Sequence, residues 1–345
     1  MKRILLILCV AAACVAQAAT AFPDLGNARI IVLANNLQNY YINYDESDRP
    51  SYDDEQGLTV KTQRIVSMMV ASNADIFAFC EVEAKPASLD RLVSEINKQL
   101  GSEVYASVYD GMNIATDSYD NAIKSGFIYR LATVEPYGSN YATTNTTYYK
   151  QVMRIQAWTE LATGERFTLS MNHFKAKSDA ASQAKRVDNA NWLLSGLNTS
   201  YKVQDTDILI MGDLNAEMDE DCIAVIENGG YEEQLLRYDA YSYSYIYQSS
   251  RELIDHAFAN STMASQITGA AVWHTNTSVS YNARYSDHDA VVVGLRLGED
   301  QGEGFDQTPF PSGEGRGEAY KKIRHGQIII IRGGVEYTIT GQRLY

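Results

Sequence analysis

The chain has 345 residues, 45% of them hydrophobic, and its 43 acidic side chains outweigh 29 basic ones to give a net charge of −14. That balance excludes a broad basic face that grips nucleic acid by counterion release, while leaving room for a local contact. Four cysteines are too few for a disulfide framework, so stability must come from a large core.

Met1, Lys2 and Arg3, the apolar run 4–16 and the small-residue site Ala16-Gln17-Ala18 read as a secretory signal peptide over residues 1–18. The expectation is a secreted or periplasmic protein with no stable membrane span, because the apolar run is too short to cross a bilayer. Removing Lys2 and Arg3 shifts the net charge from −14 to −16, and removing Cys9 and Cys14 leaves Cys80 and Cys222 as one possible disulfide. Residues 19–297 suit one sizeable α/β domain.

Strand-like runs follow at 28–36, 75–82, 122–130, 152–161, 166–173, 207–213, 252–259, 269–274 and 289–297. Between them, Leu89, Leu92, Val93 and Ile96 form a helical stripe that Gly101 stops, and Ala184, Val187, Ala190, Leu194 and Leu197 form another. Strands interleaved with isolated helices predict two sheets packed face to face with helices outside. Residues 298–317, acidic and rich in Gly and Pro, read as a linker. The tail 318–345 carries two strand runs around Gly333-Gly334, a small β-hairpin.

Polar residues gather where these strands end. Asn35-Asn36 close the first, and Glu81 and Glu83 flank Val82 in the second. Asn172-His173, Asp213 with Asn215, Asp255-His256 and the group Ser286-Asp287-His288 complete the set. Alternation along an extended backbone puts Asp213 and Asn215 on one face with Leu214 on the other. Singly, each ending is an ordinary turn cap; together they predict a shared site. Carboxylates of Glu81, Asp213 and Asp287, with amide oxygens of Asn36 and Asn215, suit Mg²⁺, Mn²⁺ or Ca²⁺ rather than zinc, since no Cys/His ligand cluster is present. His173 and His288 are then available for proton transfer, and phosphate ester hydrolysis is the natural chemistry.

The segments "IIVLANNLQNYY", "ADIFAFCEVE", "DNAIKSGFIYR", "MNHFKAKSD", "ILIMGDLNA", "ELIDHAFAN" and "YSDHDAVVVGL" resemble, in order, the motifs of the endonuclease/exonuclease/phosphatase superfamily. Within it, the third and fourth of these segments, around Asn121 to Lys124 and Asn172 to Lys177, look most like secreted bacterial nucleases similar to pancreatic deoxyribonuclease. The resemblance implies a four-layered αββα sandwich of two mixed sheets with its site at one edge. It implies metal ligation by Asn36, Glu81 and Asp287, with Mg²⁺ foremost. It also implies catalysis by His173, Asp213, Asn215, Asp255 and His288, with Asp255 orienting His288. Lys124, Arg154 and Lys175 are the candidate phosphate contacts, although relatives carry prolines where Arg154 is followed by Ile155-Gln156-Ala157.

The implied substrate is DNA or RNA, with a phosphomonoester, inositol phosphate or phospholipid head group as the alternative; no partner protein is implied. His256 is expected to point away from the site, His274 and His325 to be incidental, Cys80 to face the core, and Glu83 to be either supporting or exposed. Tyr40, Tyr41 and Tyr44 form one aromatic group; Tyr241, Tyr243, Tyr245 and Tyr247 alternate like one face of a strand. The tail resembles short sorting or surface-attachment segments of exported Bacteroidetes proteins.

Overall fold

A computed structural model describes residues 20–43, 52, 54–108, 123–145, 150–200, 206–298, 319–324, 327–332 and 335–338. The signal peptide, nearly all of the linker, Tyr44 and His325 lie outside the described residues. In chain order the elements begin with β1 (Ile30–Tyr40), α1 (Glu55–Ser72), β2 (Ile76–Glu83), α2 (Pro86–Leu100), β3 (Tyr105–Ser107), β4 (Ile123–Arg130) and β5 (Val134–Asn145). Then come β6 (Lys150–Glu160), β7 (Arg166–His173), α3 (Ala180–Ser195), β8 (Ile208–Asp213), α4 (Asp221–Asn228), β9 (Tyr231–Glu233) and α5 (Leu235–Tyr238). The series ends with β10 (Tyr245–Tyr247), β11 (Ser250–Glu252), β12 (Asp255–Asn260), α6 (Ser261–Ala264), β13 (Ile267–Trp273), β14 (Ala290–Leu295), β15 (Ala319–Arg324), β16 (Gln327–Arg332) and β17 (Val335–Thr338).

Two mixed sheets form the body. One runs β13-β14-β1-β2-β4 with β3 beside β4, and the other runs β6-β7-β8-β12-β9 with β5 beside β6. A single register pair, Ile123 with Lys150, joins them at one margin. Within each sheet one neighbouring pair is parallel, β1 with β2 and β7 with β8.

Alternation sorts the side chains into layers. Val32, Ala34, Ile76, Ala78, Phe127, Leu169, Met171, Leu209, Met211, Ala257, Val291 and Val293 meet between the sheets. The residues that alternate with them, Leu33, Phe77, Phe79, Ile128 and Val292, pack under α1 and α2, whereas Ile155, Ile210 and Phe258 pack under α3 and α4. The order is therefore helices, sheet, sheet, helices, the four layers expected from the sequence.

Local chemistry sets the helix limits. Asp54 caps α1 by accepting the Gly57 N–H at 2.7 Å, and Asn73 ends it in the left-handed region at φ 50°. Pro86 opens α2 and Gly101, at φ 72°, closes it.

Several expectations change. Helix α1 and strand β5 were not foreseen, and β1 continues through Tyr40 instead of ending at Asn36. The tyrosine alternation is no four-residue strand face: only Tyr245–Tyr247 is extended strand, and Tyr241 stands 82% exposed. The tail holds three strands rather than two, with β15 added to the expected β16–β17 hairpin. Cys80 faces the inter-sheet core as expected, but Cys222 lies in the outer layer on α4, so the possible disulfide does not form.

Candidate active site

The inner-facing rows of β7 and β8 end at His173 and Asp213, which are register partners, and antiparallel β12 begins opposite Asp213 with Asp255. Strand direction thus delivers three chemical groups to one edge. Gly212 makes the last step possible. Its φ is +127°, and a Cβ there would stand 2.3 Å from the Asn172 carbonyl oxygen.

In the other sheet, β1 and β2 both change register at this edge, between Asn36 and Tyr40 and between Phe79 and Val82. Simple alternation would send Glu81 out with Phe79. Instead its backbone lies in the left-handed region at φ 53°, and its carboxylate meets the Asn36 amide nitrogen at 3.1 Å. Glu83 parts company with it: buried, it accepts the backbone N–H of Ile42 at 2.7 Å and pairs with Lys85 at 3.1 Å. It is a loop anchor, neither exposed nor within the site.

The groups converge around Asp213. The same Asn36 nitrogen that holds Glu81 donates to Asp213 Oδ2 at 2.9 Å. His173 Nε2 stands 3.4 Å from Glu81 Oε1 and 3.7 Å from Asp213 Oδ2. His288 Nε2 lies 3.9 Å from Asp213 Oδ2 and equally far from Asp287 Oδ1, while its Nδ1 meets Asp255 Oδ2 at 2.7 Å. The Asn215 backbone N–H donates to Asp213 Oδ1 at 2.8 Å, and its side-chain nitrogen donates to the Phe174 carbonyl at 3.3 Å.

This donor set fits a hard divalent cation. Ligand atoms of Glu81, His173 and Asp213 lie within 4.8 Å of one another, as do those of Asp213, Asp255 and His288. Asn36 was expected to offer its amide oxygen to the cation. Here that oxygen accepts the Gln38 N–H at 2.8 Å and the nitrogen faces the carboxylates. Ligation through oxygen requires the amide to flip; as drawn, Asn36 holds the two acids together.

Burial raises Asp213 to about 7, helped by Asp255 and Glu81 and opposed by His288 and Asn36. For His288 burial works against the charged ring, but Asp255 and Asp213 outweigh it and raise the group well above the ordinary histidine range. Burial also lowers Lys61 to about 7 against the pull of Glu81 and Asp287; its Nζ donates to the Gln38 carbonyl at 2.6 Å.

The other basic candidates sit on β4, on β6 and just after β7. Lys124 Nζ donates to the Lys85 carbonyl at 3.0 Å on the helix side of its sheet, and burial lowers it to about 8. Arg154 is buried opposite Met171, and burial lowers it to about 10. Half-buried Lys175 donates its backbone N–H to Asn189 at 3.0 Å.

His256 points away, as expected, to the Ala216 carbonyl at 2.8 Å and Glu233 at 3.6 Å. His274 has a structural part only: it contacts Asp289 at 2.7 Å and stacks on Tyr243, bracing the start of β14.

Supporting residues appear that the sequence reading passed over. Ser286 Oγ donates to the Asn36 carbonyl at 2.6 Å and accepts the His288 N–H at 3.2 Å, tying the last histidine to the first asparagine. Ser244 Oγ accepts the Asp255 N–H at 3.0 Å. The Tyr245 ring packs 4.8 Å from the His288 ring. Ser286 had stood in the polar group of the last strand and Tyr245 in the tyrosine run, whereas Ser244 had given no signal.

The family model described as Endonuclease/Exonuclease/phosphatase family matches residues 36–288, from the Asn36 clamp to the His288 ring. The chain belongs to the endonuclease/exonuclease/phosphatase family. Members of this family are metal-dependent phosphoesterases. A Bacteroides thetaiotaomicron protein of the same family is similar in structure, with a TM-score of 0.56 and 15% identity over 79% of this chain and 96% of that one. The mannosyl-6-phosphatase of that organism gives 0.56 and 15% over 78% and 100%. D. rerio TDP2 complexed with a single-strand DNA product gives 0.53 and 15% over 77% and 98%. No curated protein matches. At such identities the endonuclease/exonuclease/phosphatase neighbours establish the fold alone. Among the described residues, no helix is long and apolar enough to cross a membrane.

Proposed function

We propose that the protein is an exported, divalent-metal-dependent phosphodiesterase that hydrolyses nucleic acid. The observation that carries the hydrolytic reading is the Asp255–His288 contact at 2.7 Å, whose free Nε2 faces Asp213 3.9 Å away in the same pocket as Glu81 and His173.

Glu81 and Asp213 would hold the cation, with Asp287, 26% exposed beside His288, and Asn36 and Asn215 close by. A bound Mg²⁺ supplies positive charge for the phosphoryl oxygens and lowers the proton affinity of its neighbours, which draws His288 back toward a free base. Asp255 fixes the His288 tautomer, so that Nε2 is the atom that takes a proton from the attacking water. His173, 3.7 Å from Asp213, and Asn215 would donate to the phosphoryl or leaving oxygen. No covalent enzyme intermediate is required.

Two observations favour a phosphomonoester as the second reading. The net charge of −14 opposes a long polyanion, and a phosphatase acting on a mannosyl 6-phosphate shares the fold. The deciding experiment incubates purified protein with Mg²⁺, Mn²⁺ or Ca²⁺ and offers plasmid, RNA, a nitrophenyl phosphodiester, inositol phosphates and sugar phosphates, with His288→Ala as the control for contaminants. Cleavage of plasmid or RNA that His288→Ala lacks supports the nuclease; turnover of monoesters alone replaces it with the second reading. The tail is proposed as a sorting or attachment segment. Deleting everything after Gly298 should then leave turnover intact and change location; a protein that no longer folds would assign the tail to the body.

A further inference from the structure

A cavity of about 210 Å³ opens beside the site, between the first half of α1 and the loop that precedes Ser286. One wall is Gln38, whose N–H holds the Asn36 amide at 2.8 Å and whose carbonyl receives Lys61 Nζ at 2.6 Å. The opposite wall includes Tyr285, immediately before the Ser286-Asp287-His288 segment, with its hydroxyl on the Asn35 amide at 2.9 Å. The cavity therefore adjoins the site through Gln38, bonded to Asn36, and Tyr285, bonded to Asn35.

Its lining is unlike the rest of the molecule. Arg64 and Arg284 contribute two guanidinium cations beside Lys61, and among the described residues no Asp or Glu takes part, in a chain of net charge −14. Arg64 donates to the carbonyls of Arg284 at 3.0 Å and Asn282 at 2.5 Å, fastening the loop to α1. Two of its five donors are used that way, and Arg64 lines the cavity. The Arg284 guanidinium lies 4.8 Å over the Tyr281 ring and makes no hydrogen bond or ion pair with any described residue. Tyr281 itself is 71% exposed. A fastened loop that presents a guanidinium and an open aromatic face is arranged for an anion next to a ring. The volume is below the roughly 300–1,000 Å³ that encloses a whole small ligand, so one group of a longer substrate fits, its remainder lying in the neighbouring site.

We propose that this cavity is a second phosphate subsite: Arg284 and Arg64 hold the phosphate adjacent to the one being cleaved, and Tyr281 supports the ring attached to it. The assignment rests on the phosphoester reading of the neighbouring site. It explains how an acidic protein engages a polyanion, through one local basic notch instead of a charged face. The second phosphate belongs either to the next link of a polynucleotide or to a small bisphosphate.

Affinity measured in EDTA separates this claim from turnover. Calorimetric titrations would compare a 5′-phosphorylated dinucleotide with its unphosphorylated counterpart, and an inositol bisphosphate with the monophosphate. Wild-type protein should favour the doubly phosphorylated member of one pair by about tenfold, the scale of a charge-assisted contact. Arg284→Gln should collapse that preference, and Arg284→Lys should restore part of it. Tyr281→Ala, at an exposed position, should weaken the nucleotide pair without disturbing the fold. No preference in the wild type, or a preference that survives Arg284→Gln, overturns the subsite. A preference confined to the inositol pair keeps the subsite and removes the nuclease reading; a nucleotide preference without turnover keeps the subsite and faults the catalytic assignment.

Discussion

Asp255 is the residue whose role geometry defines most narrowly, because its side chain meets the Nδ1 of His288 at 2.7 Å. Changing Asp255→Asn keeps the shape but puts an amide where the ring needs an acceptor, which favours the wrong tautomer. Turnover should fall by about 10²–10⁴-fold while the circular dichroism spectrum stays native. A variant with undiminished kcat would mean that the dyad is a structural contact. Gly212 is the second telling position. Adding a methyl group by Gly212→Ala forces a Cβ to 2.3 Å from a backbone carbonyl at φ +127°. Denaturant melts should show a loss of about 2–4 kcal/mol, since neither the strain nor the backbone clash can relax cheaply. A loss below about 1 kcal/mol would show that β7 and β8 can separate there.

At the scale of elements, β8 was legible because Leu209, Met211 and Asp213 alternate with outward Ile210, so that the strand itself aims the acid inward. Helix α1 was not, because polar Lys61 and Thr62 stand among its buried residues and blur the apolar stripe. Strand β5 escaped notice as an edge strand with Pro136 and a left-handed Gly138, which break any regular pattern. The bulge that turns Glu81 inward left no mark in the sequence at all, since it depends on two register shifts in neighbouring strands.

Strand β4 supplies a test of the same kind, because Lys124 was read as a phosphate contact and stands instead beside Lys85. Burial lowers Lys124 from the ordinary 10.5 to about 8, so the unfolded chain binds its proton more tightly than the folded one. The resulting penalty is complete below pH 8 and disappears as pH rises to 10.5; wild-type stability should therefore climb relative to Lys124→Met by roughly 2 kcal/mol across that window. Urea melts at pH 7.5 and 9.5 would reveal it. A flat difference would contradict the buried position, and a more than tenfold loss of kcat/KM in the variant would return Lys124 to the substrate.

For the whole molecule, the acidic charge and the buried site are connected. Two sheets bring Glu81 and Asp213 to one amide nitrogen, and burial raises Asp213 to about 7. Such a cluster keeps its two acids close together, with one amide nitrogen between them. A dication bound to the folded chain and not to the unfolded one stabilises it by about 2.7 kcal/mol at a hundred times its dissociation constant. In a body of this size that raises Tm by roughly 5–10 °C. Differential scanning calorimetry with Mg²⁺ or Mn²⁺ against EDTA should show the rise, and Glu81→Gln should remove most of it, because the amide takes away one of the two hard anionic ligands. Glu81→Gln should also melt at or above the wild type in EDTA, since one member of the repelling pair is gone. An equal metal-induced rise in wild type and variant would place the cation away from the edge where the two sheets meet, and the catalytic assignment would go with it.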